Sequence, residues 1–185
     1  KTTLLLQAAS QLVQRGLRTA LMTNAQGDEL VDTAMANQRG VPVVEVAGGC
    51  FCCRFPDLLK GLQYLRKEIK PDVILAEPVG SSTDLMATVV RPLLAYHAQD
   101  FTLAPLTILL DCTRSTSSYA TIVDYLYQKQ LAEAEILGLT KMDLLAPADA
   151  EAKERDFIKR TSPLPVYSLS GRTGEGVSAW LDQLL

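Results

Sequence analysis

The chain has 185 residues, 48% of them hydrophobic, with a formal charge of −3: enough length to bury one sizeable core, and no excess of positive charge to build a basic face for nucleic acid. No run approaches the roughly 18 apolar residues that a membrane span requires and no charged-then-apolar leader opens the sequence, which predicts a cytoplasmic protein with neither membrane nor nucleic acid as partner. The chain has 4 cysteines, and clustering at Cys50, Cys52 and Cys53 does not resemble the dispersed, paired framework of a small secreted domain.

From the N-terminus, residues 2–15 are apolar at helical spacing and stop at Gly16, and 17–24 read as a strand. A short helix over 28–39, a strand over 41–47, a helix over 57–70 and a buried strand over 72–77 follow. The rhythm continues with a helix over 83–98, where Pro92 predicts a kink, and a nearly all-apolar strand over 106–111. A helix over 115–132, a strand over 135–140, a charged helix over 148–160, a strand over 166–169 and a helix over 176–185 complete the chain. Strands separated by helices of this length predict an α/β fold, a three-layer, mostly parallel sheet with helices on both faces, in a single domain over 1–185. In such folds ligands bind in the loops at the carboxyl ends of the strands.

Lys1-Thr2-Thr3 opens the first helix so close to the first residue that a strand and a glycine turn are expected ahead of it. The three residues match the end of the phosphate-binding pattern GxxxxGK[ST]. In that pattern Lys1 would reach the β and γ phosphates, the Thr2 hydroxyl would ligate Mg²⁺, and Thr3 would sit at a helix N-terminus whose free amides favour the α phosphate. Alone the match decides nothing, since any helix can begin this way. Glu77-Pro78-Val79-Gly80 ends the strand over 72–77. In a P-loop protein an acid there holds Mg²⁺ or its waters, and the glycine lets the backbone approach the γ phosphate; in isolation the stretch is an ordinary turn.

Thr140-Lys141-Met142-Asp143 ends another strand, one residue away from the NKxD pattern that reads guanine. A carboxylate at Asp143 can accept from the N1 and N2 donors of guanine, whereas adenine presents an acceptor at N1. Lys141 would lay its aliphatic stem across the ring. The competing reading is a charged loop opening a helix, with Asp143 as a first-turn acid. Ser170-Gly171-Arg172-Thr173-Gly174-Glu175-Gly176 follows the last strand and matches the SAKTGEG form of a second guanine loop, where the Gly171 amide would donate to guanine O6. Ordinary turn chemistry is the alternative.

Cys50, Cys52 and Cys53 could supply three thiolates to a soft or borderline cation, and Gly48-Gly49 would permit the turn that lets them converge. Three protein ligands leave a tetrahedral site open, which suits transfer. The alternative is a disulfide or a reactive thiol. His97, the single histidine, is a candidate fourth ligand, although a solvated or capping histidine is the commoner role, and Cys112 reads as a small buried hydrophobe.

These stretches occur in order, each at a strand end. Together Lys1-Thr2-Thr3, the CxCC loop, Glu77-Pro78-Val79-Gly80, Thr140-Lys141-Met142-Asp143 and the Ser170 to Gly176 loop resemble the CobW, HypB and UreG group of P-loop GTPases, which have SIMIBI-type G domains and serve metalloprotein maturation. CxCC between the second helix and the ExxG strand is similar to the signature of the CobW-like branch. The resemblance implies Mg²⁺-dependent hydrolysis of GTP to GDP, Zn²⁺ or Co²⁺ carried on the cysteines, nucleotide-linked homodimerisation, and an unidentified client metalloprotein or cobalamin-type cofactor. It implies nucleotide contacts from Lys1, Thr2, Thr3, Gly80, Thr140, Lys141, Asp143, Ser170 and Gly171, Mg²⁺ ligation by Thr2 and Glu77, and catalytic roles for Lys1 and Glu77. The chain departs from the family where Ala25 follows Asn24 in place of an acid, so that turnover is expected to be slow or Asp28 to substitute from the same loop; where Thr140 replaces the usual Asn; and where the C-terminal domain common in the CobW-like branch is expected to be missing from residues 1–185. A nucleotide-binding metal sensor or store with little hydrolysis is the alternative function, and an ATP-using P-loop enzyme with structural cysteines is a further one.

Overall fold

The computed structural model describes residues 1–25, 40–113, 121–161 and 163–185. The helix expected over 28–39, and Asp28 with it, lies outside the described residues. The rest divides into two units, Lys1–Ser82 and Thr83–Leu185.

In the first unit, α1 (Thr2–Gln14) buries Leu4, Leu5, Leu6, Ala8, Ala9 and Leu12, the recurrence of an amphipathic helix. It ends where Gly16, at φ +82°, takes the left-handed conformation. The Gly16 amide then donates to the Val13 carbonyl (2.9 Å) and the Leu17 amide to the Leu12 carbonyl (3.1 Å), which satisfies carbonyls the helix leaves open. Strands β1 (Thr19–Ala25), β2 (Val43–Ala47) and β3 (Val73–Glu77) form a parallel sheet in the order β2-β1-β3. Successive strand residues face opposite sides. Leu21 and Val43 pack with Leu5, Leu6 and Ala9 of α1, while Met22 and Val44 approach Gly61 in α2 (Phe55–Tyr64). The two helices therefore cover opposite faces, the three-layer arrangement expected. A Cβ on Gly61 would come within 2.9 Å of Met22 Cε and Val44 Cγ1, so the glycine sets the helix-to-sheet distance. α2 continues through a π-helical segment, Leu65–Ile69, and stops at Lys70, which is left-handed at φ 53°.

In the second unit, β4 (Thr107–Asp111), β5 (Ile136–Thr140) and β6 (Val166–Leu169) form another parallel sheet in the order β4-β5-β6. Ile108, Leu110, Leu137 and Leu139 share a core cluster with Tyr127 and Leu131 of α4 (Thr121–Glu133) and Phe157 of α5 (Pro147–Thr161). On the other face Thr107 accepts from the Trp180 indole of α6 (Val177–Leu184) at 3.1 Å. The helix expected over 83–98 starts later, because Asp84 is left-handed at φ 57° and the Glu133 carboxylate caps the amides of Leu85 (3.0 Å) and Met86 (3.3 Å). Where Pro92 predicts a kink, the chain forms a π-helical segment, Met86–Val90, followed by α3 (Arg91–His97). Proline has no N–H for the ladder, and here the Arg91 amide reaches back to the Met86 carbonyl instead. Among the described residues no helix is long and apolar enough to cross a membrane.

Gly176 leads into α6 at φ +73°, and a Cβ there would overlap the Ser168 carbonyl. Gly176→Ala is expected to cost at least about 2 kcal/mol, combining left-handed strain with a backbone clash. Urea unfolding should show a lower midpoint at unchanged m.

Candidate functional site

The carboxyl end of β3 brings four of the sequence-predicted residues together. The Lys1 ammonium donates to the Pro78 carbonyl (3.0 Å) and lies 3.9 Å from Glu77 Oε1. A Cβ on Gly80 would stand 3.5 Å from Lys1 Nζ, so Gly80 leaves the ammonium in contact with bare backbone. The Thr2 hydroxyl donates to Glu77 Oε2 at 3.1 Å. Adjacent ligands of an octahedral Mg²⁺ with bonds near 2.1 Å lie about 3.0 Å apart, so the separation of Thr2 Oγ1 and Glu77 Oε2 would suit neighbouring ligand positions. Thr3 is exposed in the first turn of α1.

The cysteine loop leaves the carboxyl end of β2, in the same sheet. Gly48 at φ +77° and Gly49 at φ +155° turn the chain, and Phe51, 2% exposed, anchors the loop while Cys50, Cys52 and Cys53 stay accessible. Their sulfurs lie within 4.8 Å of one another. Cys53 Sγ is 3.0 Å from Cys50 Sγ and 3.9 Å from Cys52 Sγ, and the Cys53 amide donates to Cys50 Sγ at 3.3 Å. Tetrahedral thiolates on zinc, with Zn–S near 2.3 Å, stand about 3.8 Å apart, and the Cys52–Cys53 spacing already matches. The expectation of three free thiolates needs one correction: Cys50 and Cys52 form a disulfide here, and Cys53 is free. A disulfide sulfur has no thiolate charge, so only the reduced loop could offer three thiolates to a cation. If the three cysteines hold a thiophilic cation such as zinc, its affinity is expected to fall about a hundredfold or more when reductant is withdrawn and Cys50–Cys52 oxidises, since changes beyond the ligands alone cost ~10–100-fold. Chelator competition with thiol counting would read this, and equal affinity of both forms would contradict it.

Sequence reasoning passed over Asn24 except as a neighbour of Ala25. It is the next-to-last residue of the central strand, paired with Val46 of β2 and one residue past the partner of Glu77. Its side-chain amide donates to the carbonyls of Val46 and Gly49, tying the cysteine loop to β1. Its Oδ1 is buried and has no hydrogen-bond partner among the described residues. A polar residue near the carboxyl end of a buried strand was the available signal.

In the second unit, Thr140 and Lys141 serve β4. The Thr140 hydroxyl donates to the Leu110 carbonyl (2.8 Å), and the Lys141 ammonium pairs with Asp111 Oδ2 (2.7 Å). Burial opposes ionisation of Asp111, but bonds from Lys141 and Thr113 outweigh it and hold the carboxyl at about 2. Lys141 is left-handed at φ 62°, which sends the chain into the turn carrying Asp143. The Ser170 hydroxyl holds the Asp143 carboxyl below its ordinary range; burial opposes this and Arg172 reinforces it. Arg172 donates to Asp143 Oδ2 from Nη2 (2.8 Å) and Nε (3.0 Å), a contact that the motif comparison missed. Ser170 is itself buried and fixes the loop, its Oγ accepting from the Thr173 amide (3.0 Å). The Gly171 amide has no hydrogen bond among the described residues. His97 pairs with Asp100 (3.8 Å). Cys112 is buried, and burial pushes its thiol up to about 11, in keeping with an apolar role.

A family model described as "CobW/HypB/UreG, nucleotide-binding domain" matches residues 1–167. The chain is similar to the zinc chaperone YeiR of Escherichia coli (strain K12), 29% identical over 143 residues that cover 74% of this chain and 41% of that protein; it thus spans less than half the length of this relative. Among solved structures it is similar to HypB from Helicobacter pylori in complex with nickel, with a TM-score of 0.63 and 15% identity over 97% of this chain and 78% of that one. It is also similar to the Zn(II)-bound YjiA GTPase from E. coli, with a TM-score of 0.55 and 14% identity over 90% of this chain and 60% of that one. Likeness at such identities carries the fold alone, a parallel sheet with helices packed on it.

Proposed function

The chain belongs to the CobW/HypB/UreG family of nucleotide-binding domains, and on that premise we propose that it is a cytoplasmic, Mg²⁺-dependent GTPase that carries zinc, or Co²⁺, on Cys50, Cys52 and Cys53 for delivery to a client metalloprotein. Residues 1–185 act as one GTP-binding domain in this reading, and nucleotide-linked homodimerisation and a role in cobalamin-type cofactor maturation belong to the same proposal. The observation that carries it is an arrangement within one sheet. The cysteine loop leaves the carboxyl end of β2 while Lys1, Thr2, Glu77 and Gly80 gather at that of β3, with Asn24 near the carboxyl end of the strand between them.

Bound Mg²⁺ would supply charge neutralisation to the β and γ phosphates. Thr2 and Glu77 would hold it, directly or through water. Lys1 would place a further positive charge on the phosphates, and the unsubstituted backbone at Gly80 would admit the γ phosphate. In the second unit Asp143 would accept from guanine N1 and N2, and the Gly171 amide would donate to O6. Lys141, paired with Asp111, would offer only its stem to the base. Ala25 removes a carboxylate from the strand end, and Asp28 would have to stand in for it, which supports slow turnover.

Single-turnover hydrolysis of GTP by the full-length protein, with and without zinc, tests this. Mg²⁺-dependent phosphate release that zinc modulates is expected, with loss in Glu77→Gln. Tight GTP binding and zinc binding with no release on the hour scale would favour the sensor or storage reading, which Ala25 supports.

A further inference from the structure

The contact between Arg172 and Asp143 is unusual in its asymmetry. The Asp143 side chain is largely covered, at 10% exposure, while the Arg172 side chain bonded to it is 69% exposed. Its two donors converge on Asp143 Oδ2 at 2.8 and 3.0 Å, and Ser170 holds the same carboxylate. A guanidinium edge carries adjacent N–H donors in one plane. Guanine presents the same fork, N1–H beside N2–H. Adenine presents an acceptor at N1.

We propose that Arg172 occupies Asp143 in place of the base and competes with guanine for it, so that an incoming purine recovers the cost of displacing it only through guanine's paired donors. This rests on the guanine reading of Asp143 given above. Without a nucleotide, Arg172 keeps a covered carboxylate paired, and leaving that carboxylate unpaired would be costly. Guanine replaces both lost bonds with its own. Adenine would break the pair and restore neither, leaving its N1 lone pair against the carboxylate. The exposed guanidinium can leave toward water with little lost packing, so displacement is a local side-chain movement. Gly174, at φ +81°, donates its amide to the Ser170 carbonyl (2.9 Å), which holds the loop backbone in place while Arg172 moves.

The test is a double-mutant cycle on the full-length protein, with fluorescent GDP and ADP titrated to millimolar concentration against wild type, Arg172→Ala, Asp143→Ala and the double variant. Arg172→Ala should tighten GDP binding by about fivefold, the upper range for an exposed ion pair, and should change GDP binding by less than about twofold in the Asp143→Ala background. Weaker or unchanged GDP binding in Arg172→Ala, or equal tightening in both backgrounds, overturns the proposal while leaving the guanine reading intact if wild type still prefers GDP to ADP. A wild type with no such preference overturns both. Asp143→Asn, which keeps the side chain's shape and removes its charge, replaces Asp143→Ala should the latter fold poorly.

Discussion

Replacing Cys52 and Cys53 together with serine is expected to weaken zinc binding by about four orders of magnitude while leaving the fold unchanged. Structural zinc in four-ligand sites is worth about 10–16 kcal/mol, so each ligand carries about 3, and a neutral serine hydroxyl replaces a soft anion with a hard, weak donor. The loop should keep its course, because Phe51 anchors it and the substituted side chains are accessible. Thermal unfolding of the metal-free protein should shift by no more than surface substitutions do, within about 0.5 kcal/mol. Competition against a chromophoric chelator under reducing conditions measures the loss. Retained affinity would mean that zinc binds elsewhere.

Asp143→Ala is expected to remove the preference for GTP over ATP. Two charge-assisted hydrogen bonds at about 1.5–3 kcal/mol each amount to about 3–6 kcal/mol, or about 10²- to 10⁴-fold in relative affinity. Because the Ser170 bond, against burial and with Arg172, depresses the folded pKa from 3.8, the carboxylate stays ionised through mildly acidic conditions. The preference should therefore survive at about pH 5 and disappear only as pH falls through the depressed value. Parallel titrations with guanine and adenine nucleotides in Asp143→Ala and wild type read the difference; an undiminished preference would move base recognition away from this turn.

What was legible in the sequence follows from local rules. The apolar runs ending in Asp111 and Thr140 had to be buried strands, and Gly16 had to stop a helix. The order of Lys1-Thr2, Glu77 and Gly80 was enough to expect them at one sheet edge, because parallel α/β topology delivers strand ends to a common side. Other features depend on side-chain partners far apart in sequence. Nothing in the Ser170 to Gly176 loop marks Arg172 as the partner of Asp143 rather than a solvated cation. Nor does the spacing of Cys50, Cys52 and Cys53 separate a thiolate set from a disulfide plus a thiol, since both need the same turn. Pro92 announced a disturbance in the helix, but whether the missing N–H yields a bend or a π-helical segment depends on the ladder around it, and here Arg91 bonds to Met86.

Asn24 carries the central claim, since its amide holds the Gly49 carbonyl of the cysteine loop from the strand that runs beside Glu77. A γ phosphate sensed at that sheet edge should change the metal site, and metal should change nucleotide affinity by the same factor. Zinc affinity of the reduced, full-length protein, measured with GDP and with a non-hydrolysable GTP analogue in the presence of Mg²⁺, tests this directly. The account predicts affinities that differ by at least about fivefold, the lower range for coupled sites. Equal affinities within error would contradict it.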